Sequence, residues 1–451
     1  MKLPPSRAAE PDGFARLPSW WASALATFAA VVTVLTLYSF AAYFKQSLIE
    51  TTPVNPLRPI YIYGFLVGIL ALVFPLVVIR SPHRPLPLLL FAFFVLFGIL
   101  ISLQHMAQSP SRILEAVYRT RMSYIIMVPV MIVLFSFVRS AKPVLVALRL
   151  VIIFVCILNI TEFYNPHIYY LGMSQYIGRS AGFYENPNVS AAFIASVVPL
   201  ICLGLSRPRR IFFLGITFIG VFFTFSREGL LLWIGAVALM HLARPGSRPE
   251  LTRYHLALIM GGLAAFLFLI IFASYLSEAA LSFVGPSINA DVATRLQGTT
   301  NDFAALEREY VLKLGWEAFQ NAPMIGNGPG YTYAWGYQVS VHNMLLLMMA
   351  EHGLLGLMLY GLFLFCLFRM KWPFGLWAGG LTVGFTPFNH NLFDLPCYGL
   401  IYVLYWLVST EPDQSWLVIE GAKRRLRRIG GPTIPVEDRG VRGAALDGSG
   451  V

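Results

Sequence analysis

Apolar residues in this chain fall in long unbroken runs separated by short polar connections. The runs centre on 20–41, 59–79, 86–104, 122–138, 143–160, 190–206, 211–225, 228–243, 255–275, 342–368, 374–389 and 394–410. A helix needs ~20 mostly apolar residues to cross a hydrocarbon layer ~30 Å thick, so the pattern predicts about twelve transmembrane helices. The runs at 211–225 and 228–243 are short and closely spaced, which leaves the count open by a single span either way. Barrel strands would alternate in segments of ~10 residues, and a backbone in lipid must satisfy its own hydrogen bonds. The expected fold is an all-α polytopic membrane protein. Residues 1–275 carry the first nine spans and 342–410 the last three. Between them, 276–341 is one long polar, aromatic and charged loop with a helix of its own. Residues 411–451 form a basic tail expected to be partly disordered.

Composition agrees: 57% of residues are hydrophobic and 12% are charged, against about 25% charged in soluble domains. The net charge of +11 invites a nucleic-acid reading, but its distribution refuses one. With the amino terminus in the cytoplasm, most of the 33 basic residues fall in cytoplasmic connections. Among these are Arg80, Arg84, Arg139, Lys142, Arg207, Arg209, Arg210, Arg369 and Lys371, and the tail run Lys423 to Arg428. This is the positive-inside bias, and an even number of spans returns the tail to the cytoplasm. The tail run reads as a lipid-headgroup anchor. Cys156, Cys202, Cys366 and Cys397 all fall within apolar runs and read as packing residues without disulfide or metal spacing. The first apolar run is too long for a signal-peptide core and reads as a retained signal anchor.

That orientation leaves Arg112, Arg119, Arg121, Arg179, Arg227, Arg295 and Arg308 outside, against the bias. Any one of them could be a solvated residue paired with Glu115, Glu185, Glu228 or Glu307. As a set, they suggest anion recognition, because a guanidinium fork matches phosphate oxygens in pairs. Arg227 lies between two apolar runs with almost no loop, a costly position unless it is paired or lines a wet cavity. Residues 178–189 form a loop in which Pro187 and Asn188 mark a turn and a helix start, and Arg179 has no such explanation. In the long loop, 304–320 reads as a helix with Arg308, Leu312, Trp316 and Phe319 on one face. Gly326-Asn327-Gly328-Pro329-Gly330 lacks a P-loop ending and reads as a tight connection. Tyr331, Tyr333, Trp335 and Tyr337 offer flat faces to sugar rings or to headgroups. His342, beside Asn343, opens a span and can serve as a general base near pH 7. Glu351 and His352 lie ~15 Å further along that helix, as an internal network or part of a polar cavity.

Several of these pieces resemble the O-antigen ligase and polymerase superfamily of bacterial membrane glycosyltransferases. The matching residues are Arg179 with Gly182 to Asn188, then Ser226-Arg227 at a span junction. They continue from Arg308 through Trp316-Glu317-Ala318-Phe319 and Asn321 to Gly328, and on to His342-Asn343 and Glu351-His352-Gly353. The similarity covers about 160–410, with motifs that are short but specific in order and spacing. It implies a GT-C-like fold in the bacterial inner membrane, with both termini cytoplasmic and a periplasmic loop and active site. For a ligase, it implies transfer of a polysaccharide from undecaprenyl diphosphate to a sugar hydroxyl of lipid A-core, in lipopolysaccharide biosynthesis, without cofactor or metal. The absence of an Asp-x-Asp motif from the external loops agrees with that. Carried over by residue, His342 activates the acceptor hydroxyl, while Arg227 and a loop arginine, Arg308 or Arg295, hold the diphosphate. Arg179, Arg119, Arg121, Asn188, Asn343 and Trp316 are further substrate-binding candidates. Superfamily polymerases often carry a glycine eleven residues after a loop arginine; none of Arg179, Arg227, Arg295 or Arg308 has one, which favours ligase. A protein O-oligosaccharyltransferase shares the same motifs. A lipid-linked-sugar transporter, the reading from another class, would need internal repeats that the chain does not show.

Overall fold

A computed structural model of the protein describes residues 19–38, 59–79, 83–165, 179–182, 184, 186–243, 245, 303–335, 341–388, 391–413 and 416–417. The expected span at 255–275, Arg295, Tyr337, residues 276–302 and 336–340 of the long loop, and the tail run Lys423 to Arg428 lie outside the described residues. Those described are helical, with no strand among them. In chain order, the helices are α1 (Ser19–Leu37), α2 (Pro59–Ile79), α3 (Leu88–Ala107), α4 (Arg112–Phe135), α5 (Lys142–Tyr164), α6 (Pro187–Ile201) and α7 (Arg207–Phe222). They continue with α8 (Arg227–Leu242), α9 (Phe303–Asn321), the single turn α10 (Tyr331–Ala334), α11 (Met344–Phe368), α12 (Phe374–Phe385) and α13 (Pro396–Ser409). A 3-10 turn, Asn391–Phe393, precedes α13.

Five of these, α1, α3, α4, α5 and α11, are long and apolar enough to cross a membrane, and α2, α6, α12 and α13 contain shorter apolar stretches. The protein is a helical membrane protein. Most helices follow the apolar runs closely, with one instructive difference. α4 starts at Arg112, whereas the apolar pattern placed that span at 122–138. Arg112, Arg119 and Arg121 therefore ride on the first turns of a helix instead of in a connection. The amphipathic start carries too much charge to register as apolar, yet helix propensity and packing extend it.

Up-and-down connectivity gives the bundle two ends. The ends of α3 and α5 and the starts of α4, α6, α8 and α11 share one, termed here the loop end. The other, the basic end, carries Arg84, Arg139, Lys142, Arg207 and Arg369. α6 is the central element, with every residue buried except Asn188. It starts under an N-cap from Asn186, whose side chain accepts from the Asn188 amide, with Pro187 at the first helical position. At its far end, Arg149 of α5 donates to the carbonyls of Ile201 (2.9 Å) and Leu203 (2.5 Å). This charge inside a span is a C-terminal cap for the last carbonyls of α6. All four cysteines are buried and free, as expected of packing residues.

Small residues allow the closest helix contacts. A Cβ added at Gly229 of α8 would lie 2.2 Å from the Ala191 Cβ of α6. Lipid tails are as apolar as the side chains, so such close backbone approach, more than hydrophobic transfer, holds helices together in a membrane. At the basic end, the fully buried Arg84 donates to the Val138 carbonyl (2.9 Å), to the Leu407 carbonyl and to Glu411 (2.8 Å). Glu411 also accepts from the Ala141 amide at 2.9 Å. One ion pair thus fastens the entry of α3 to the α4–α5 turn and to the end of α13. Burial presses the Arg84 pKa below the usual arginine range, and Glu411 pulls it back.

Candidate functional site

Arg227 is exposed at the first position of α8. The turn before it is built from Thr224-Phe225-Ser226. The Ser226 hydroxyl accepts from the Gly229 amide at 3.0 Å and caps the helix, and the Thr224 hydroxyl accepts from the Ser226 amide at 3.2 Å. Phe225 sits at φ +48, in the left-handed region. For a bulky residue that region costs about 1–3 kcal/mol and is held only when the surroundings require it. Here the Phe225 ring is held against Phe163 (centroids 5.5 Å apart) and Phe222 (5.4 Å). A strained, clamped turn immediately precedes the arginine that carried most weight in the sequence.

Arg179 joins that corner. It donates to the Thr224 carbonyl at 3.1 Å and to the Asn188 side-chain oxygen at 2.8 Å, so both predicted residues lie beside the Ser226 turn. The backbone that carries Arg179 is fixed from below. Buried Glu162 of α5 accepts from the Ala181 (2.7 Å) and Gly182 (2.6 Å) amides, and the Ser180 amide donates to the Phe223 carbonyl (3.1 Å). Sequence reasoning missed Glu162. The signal that could have found it was a carboxylate two residues past an apolar run, close enough to stay on the same helix.

His342 reaches the same region from α11. Two residues on, the Met344 amide donates to the Thr386 carbonyl at 2.9 Å, at the end of α12. α8 packs on α12, where a Cβ added at Gly384 would lie 3.5 Å from the Leu232 side chain. Arg227 lies five residues before Leu232, or ~7.5 Å of helix rise. The end of α12 therefore has His342 on one side and the start of α8 on the other. Asn343 is the N-cap of α11 and accepts from the Leu346 amide at 3.0 Å. Trp316 is exposed on α9 beside Phe319, while Val311, Gly315 and Ala318 form the face packed towards α11. Arg308 lies in the first turns of α9, which fixes its backbone position alone.

The long loop does more than cross an end of the bundle. α11 breaks at Gly353, whose φ is +64, and the chain from Pro323 to Gly330 dips back to fill the break. The Leu354 amide donates to the Pro323 carbonyl (2.8 Å) and the Leu355 amide to that of Met324 (3.3 Å). In the other direction, the Asn327 (3.2 Å) and Gly328 (2.8 Å) amides donate to the carbonyls of Ala350 and Glu351. A helix break in lipid leaves backbone groups unsatisfied, and here the loop satisfies them on both sides. Gln104 of α3 adds a donor to the Glu351 carbonyl at 3.2 Å and accepts from the His352 ring at 2.6 Å. The tight connection expected at 326–330 is therefore a segment paired into the bundle.

Arg121, Glu351 and Asp394 close the break. Arg121 is 1% exposed. It donates to the Asp394 oxygens at 2.6 and 3.5 Å and also contacts Glu351. Glu351 takes the Thr332 hydroxyl at 2.6 Å and the Gly330 amide at 3.1 Å, and Tyr333 donates to Asp394 at 2.9 Å. Burial first, then the nearby Asp394, raises the Tyr333 pKa well above the ordinary phenol range, so it remains a donor. Of the two uses open to Glu351 and His352, the internal network is the one observed. The Arg121 fork is filled by carboxylates, which makes it a fastening for the loop. Arg119 is exposed and pairs with Glu115 at 2.5 Å, one turn back on α4. Asp394 was the second residue the sequence reading passed over, since it opens an apolar run that looked like an ordinary span.

Among curated proteins, none matches the chain. Residues 211–361 match the family model described as O-Antigen ligase, a segment that runs from α7 through α8, α9 and α10 into α11. It holds the Ser226-Arg227 turn, the segment that fills the helix break, and His342. Through these residues the chain is similar to the O-antigen ligase family.

Proposed function

We propose that this protein is an O-antigen ligase of the bacterial inner membrane. It transfers a polysaccharide from undecaprenyl diphosphate to a sugar hydroxyl of lipid A-core, with its loop end in the periplasm. The observation that carries this reading is the exposed Arg227 on a strained, capped turn, with Arg179 and Asn188 beside it and His342 across the end of α12.

In the proposed reaction, His342 takes the proton of the acceptor hydroxyl as its oxygen attacks the anomeric carbon. The bond from that carbon to the diphosphate oxygen breaks, and undecaprenyl diphosphate leaves with the bonding pair. Attack from the opposite face inverts the anomeric centre. Arg227, with Arg308 or Arg295 from the long loop, holds the diphosphate where negative charge grows. Fixed cations at such a position lower a barrier by several kcal/mol. Asn343 holds the helix start that presents His342, and the exposed Trp316 offers a flat face to a sugar or headgroup. Residues 276–341 act as a lid. Arg121 serves it from α4 as a buried fastening, while Arg119 pairs with Glu115 on the same helix.

The other readings differ mainly in the acceptor. A polymerase would extend a glycan still on its carrier, and an oligosaccharyltransferase would use a protein hydroxyl. A transporter would leave its broken helix open to a ligand, whereas the break in α11 is filled by residues 323–330 and its carboxylate by Arg121. The test is to incubate purified protein with a lipid-diphosphate-linked glycan and lipid A-core in the presence of chelator. Glycan joined to lipid A-core, and its loss in His342→Ala, supports the reading. Glycan growth on its own carrier, or a requirement for metal, refutes it.

A further inference from the structure

At the basic end, far from His342, a groove of about 580 Å³ opens between the entry of α3 and the ends of α11 and α13. Its wall is apolar: Leu86, Leu88 and Leu89 line it and are 36%, 75% and 52% exposed. Cys366 and Trp406 close its depth, and Arg369 and Lys371 stand at its rim, both exposed. Glu411 also lines it, but its carboxylate is occupied by Arg84 and by the Ala141 amide. The groove is thus left with two cations above a hydrocarbon wall, since the one acidic group is neutralised from behind.

We infer that this groove binds an anionic phospholipid, with its phosphate between Arg369 and Lys371 and an acyl chain along Leu88 and Leu89. The depth order fits that ligand. Arg369 and Lys371 follow the last turn of α11, and Cys366 lies about one turn deeper. A headgroup sits above its chain in the same order. Basic pockets between membrane helices at a cytoplasmic face recognise acidic headgroups by this combination of charge and apolar depth. Charge also selects among occupants. The chain's own tail run, Lys423 to Arg428, has the same sign as the rim and is repelled by it.

The test uses full-length protein in neutral detergent, titrated with fluorescent phosphatidylglycerol and with matched phosphatidylcholine. The expected result is preferential binding of phosphatidylglycerol. That preference should fall on the order of thirty-fold in Arg369→Gln/Lys371→Gln, since each cation near a lipid surface is worth about fivefold. Leu89→Glu, which adds a carboxylate to the apolar wall and leaves the rim intact, should weaken the same lipid. Gel filtration and circular dichroism identify any variant that fails to fold, and single Arg369→Gln then takes its place. Equal binding of the two lipids, or an unchanged preference in folded variants, overturns the proposal. So does displacement of the lipid by millimolar glycerol phosphate, which would make the site a plain anion site. A change of oligomeric state without a change in lipid binding would assign the groove to a second copy and overturn it as well.

Discussion

Arg121 is 1% exposed and its guanidinium faces two carboxylates, whereas Arg227 stands exposed on the first turn of α8. Their substitutions should separate accordingly. Arg121→Ala leaves Glu351 buried without its cation, and breaking a buried pair costs about 3–5 kcal/mol. Thermal unfolding in detergent should show a large loss of stability, with Arg119→Ala, whose side chain is 76% exposed, within about 0.5 kcal/mol of wild type. Equal effects from the two would remove the fastening role of Arg121. Arg227→Lys should leave stability unchanged and lower transfer by roughly tenfold or more, because an ammonium cannot present two parallel donors to a diphosphate. Full activity in that variant would reduce Arg227 to a turn residue. From sequence, Arg121 and Arg227 were alike, two arginines near span edges. Only the partners distinguish them, and those partners, Glu351 and Asp394, are more than two hundred residues from Arg121 along the chain.

The break in α11 makes a prediction for that element. A Cβ at Gly353, already at φ +64, would meet the Met324 carbonyl carbon at 2.5 Å, and one at Gly326 would meet the Glu351 backbone at 2.4 Å. Gly353→Ala should therefore push residues 323–330 off the helix. Hydrogen exchange should then quicken at Asn327, Gly328, Leu354 and Leu355, with transfer reduced as the lid loses its anchor. Unchanged protection at those amides would show that the segment is held by other contacts. Helix positions were largely legible beforehand, because a membrane span announces itself in local hydropathy: α2 coincides with its apolar run, and α8, α11 and α13 lie within a turn of theirs. The break was not legible. Met344 to Phe368 is apolar throughout, with Gly353 one small residue among several, and the glycine-rich run 326–330 fits a local turn equally well. What joins them is backbone pairing across the bundle, which leaves no periodic trace in either segment. Residue types alone put Arg179, Asn188, Arg227 and His342 forward as candidates, and the fold groups Arg179 and Asn188 beside the turn that carries Arg227. Missing were the supports, Glu162 and Asp394, acidic groups at the edges of apolar runs whose value depends on what packs against them.

On the scale of the whole molecule, the charge bias that assigned the loop end to the periplasm can be tested without any activity. Ser109 is exposed at the loop end and Ser206 at the basic end, and the native cysteines are all buried. Labelling intact cells with a maleimide that crosses only the outer membrane should modify Ser109→Cys and spare Ser206→Cys. The opposite pattern would invert the topology and move the proposed chemistry to the cytoplasmic face. With topology fixed, the central claim is a division of labour around the end of α12: Arg227 binds the donor diphosphate and His342 moves the acceptor proton. The most direct measurement is a comparison of donor binding with transfer rate in His342→Ala using purified protein, lipid-diphosphate-linked glycan and lipid A-core. The account predicts donor affinity close to wild type and transfer slowed by roughly 10²–10⁴, the range general-base catalysis supplies. Transfer at the wild-type rate in that variant would contradict it.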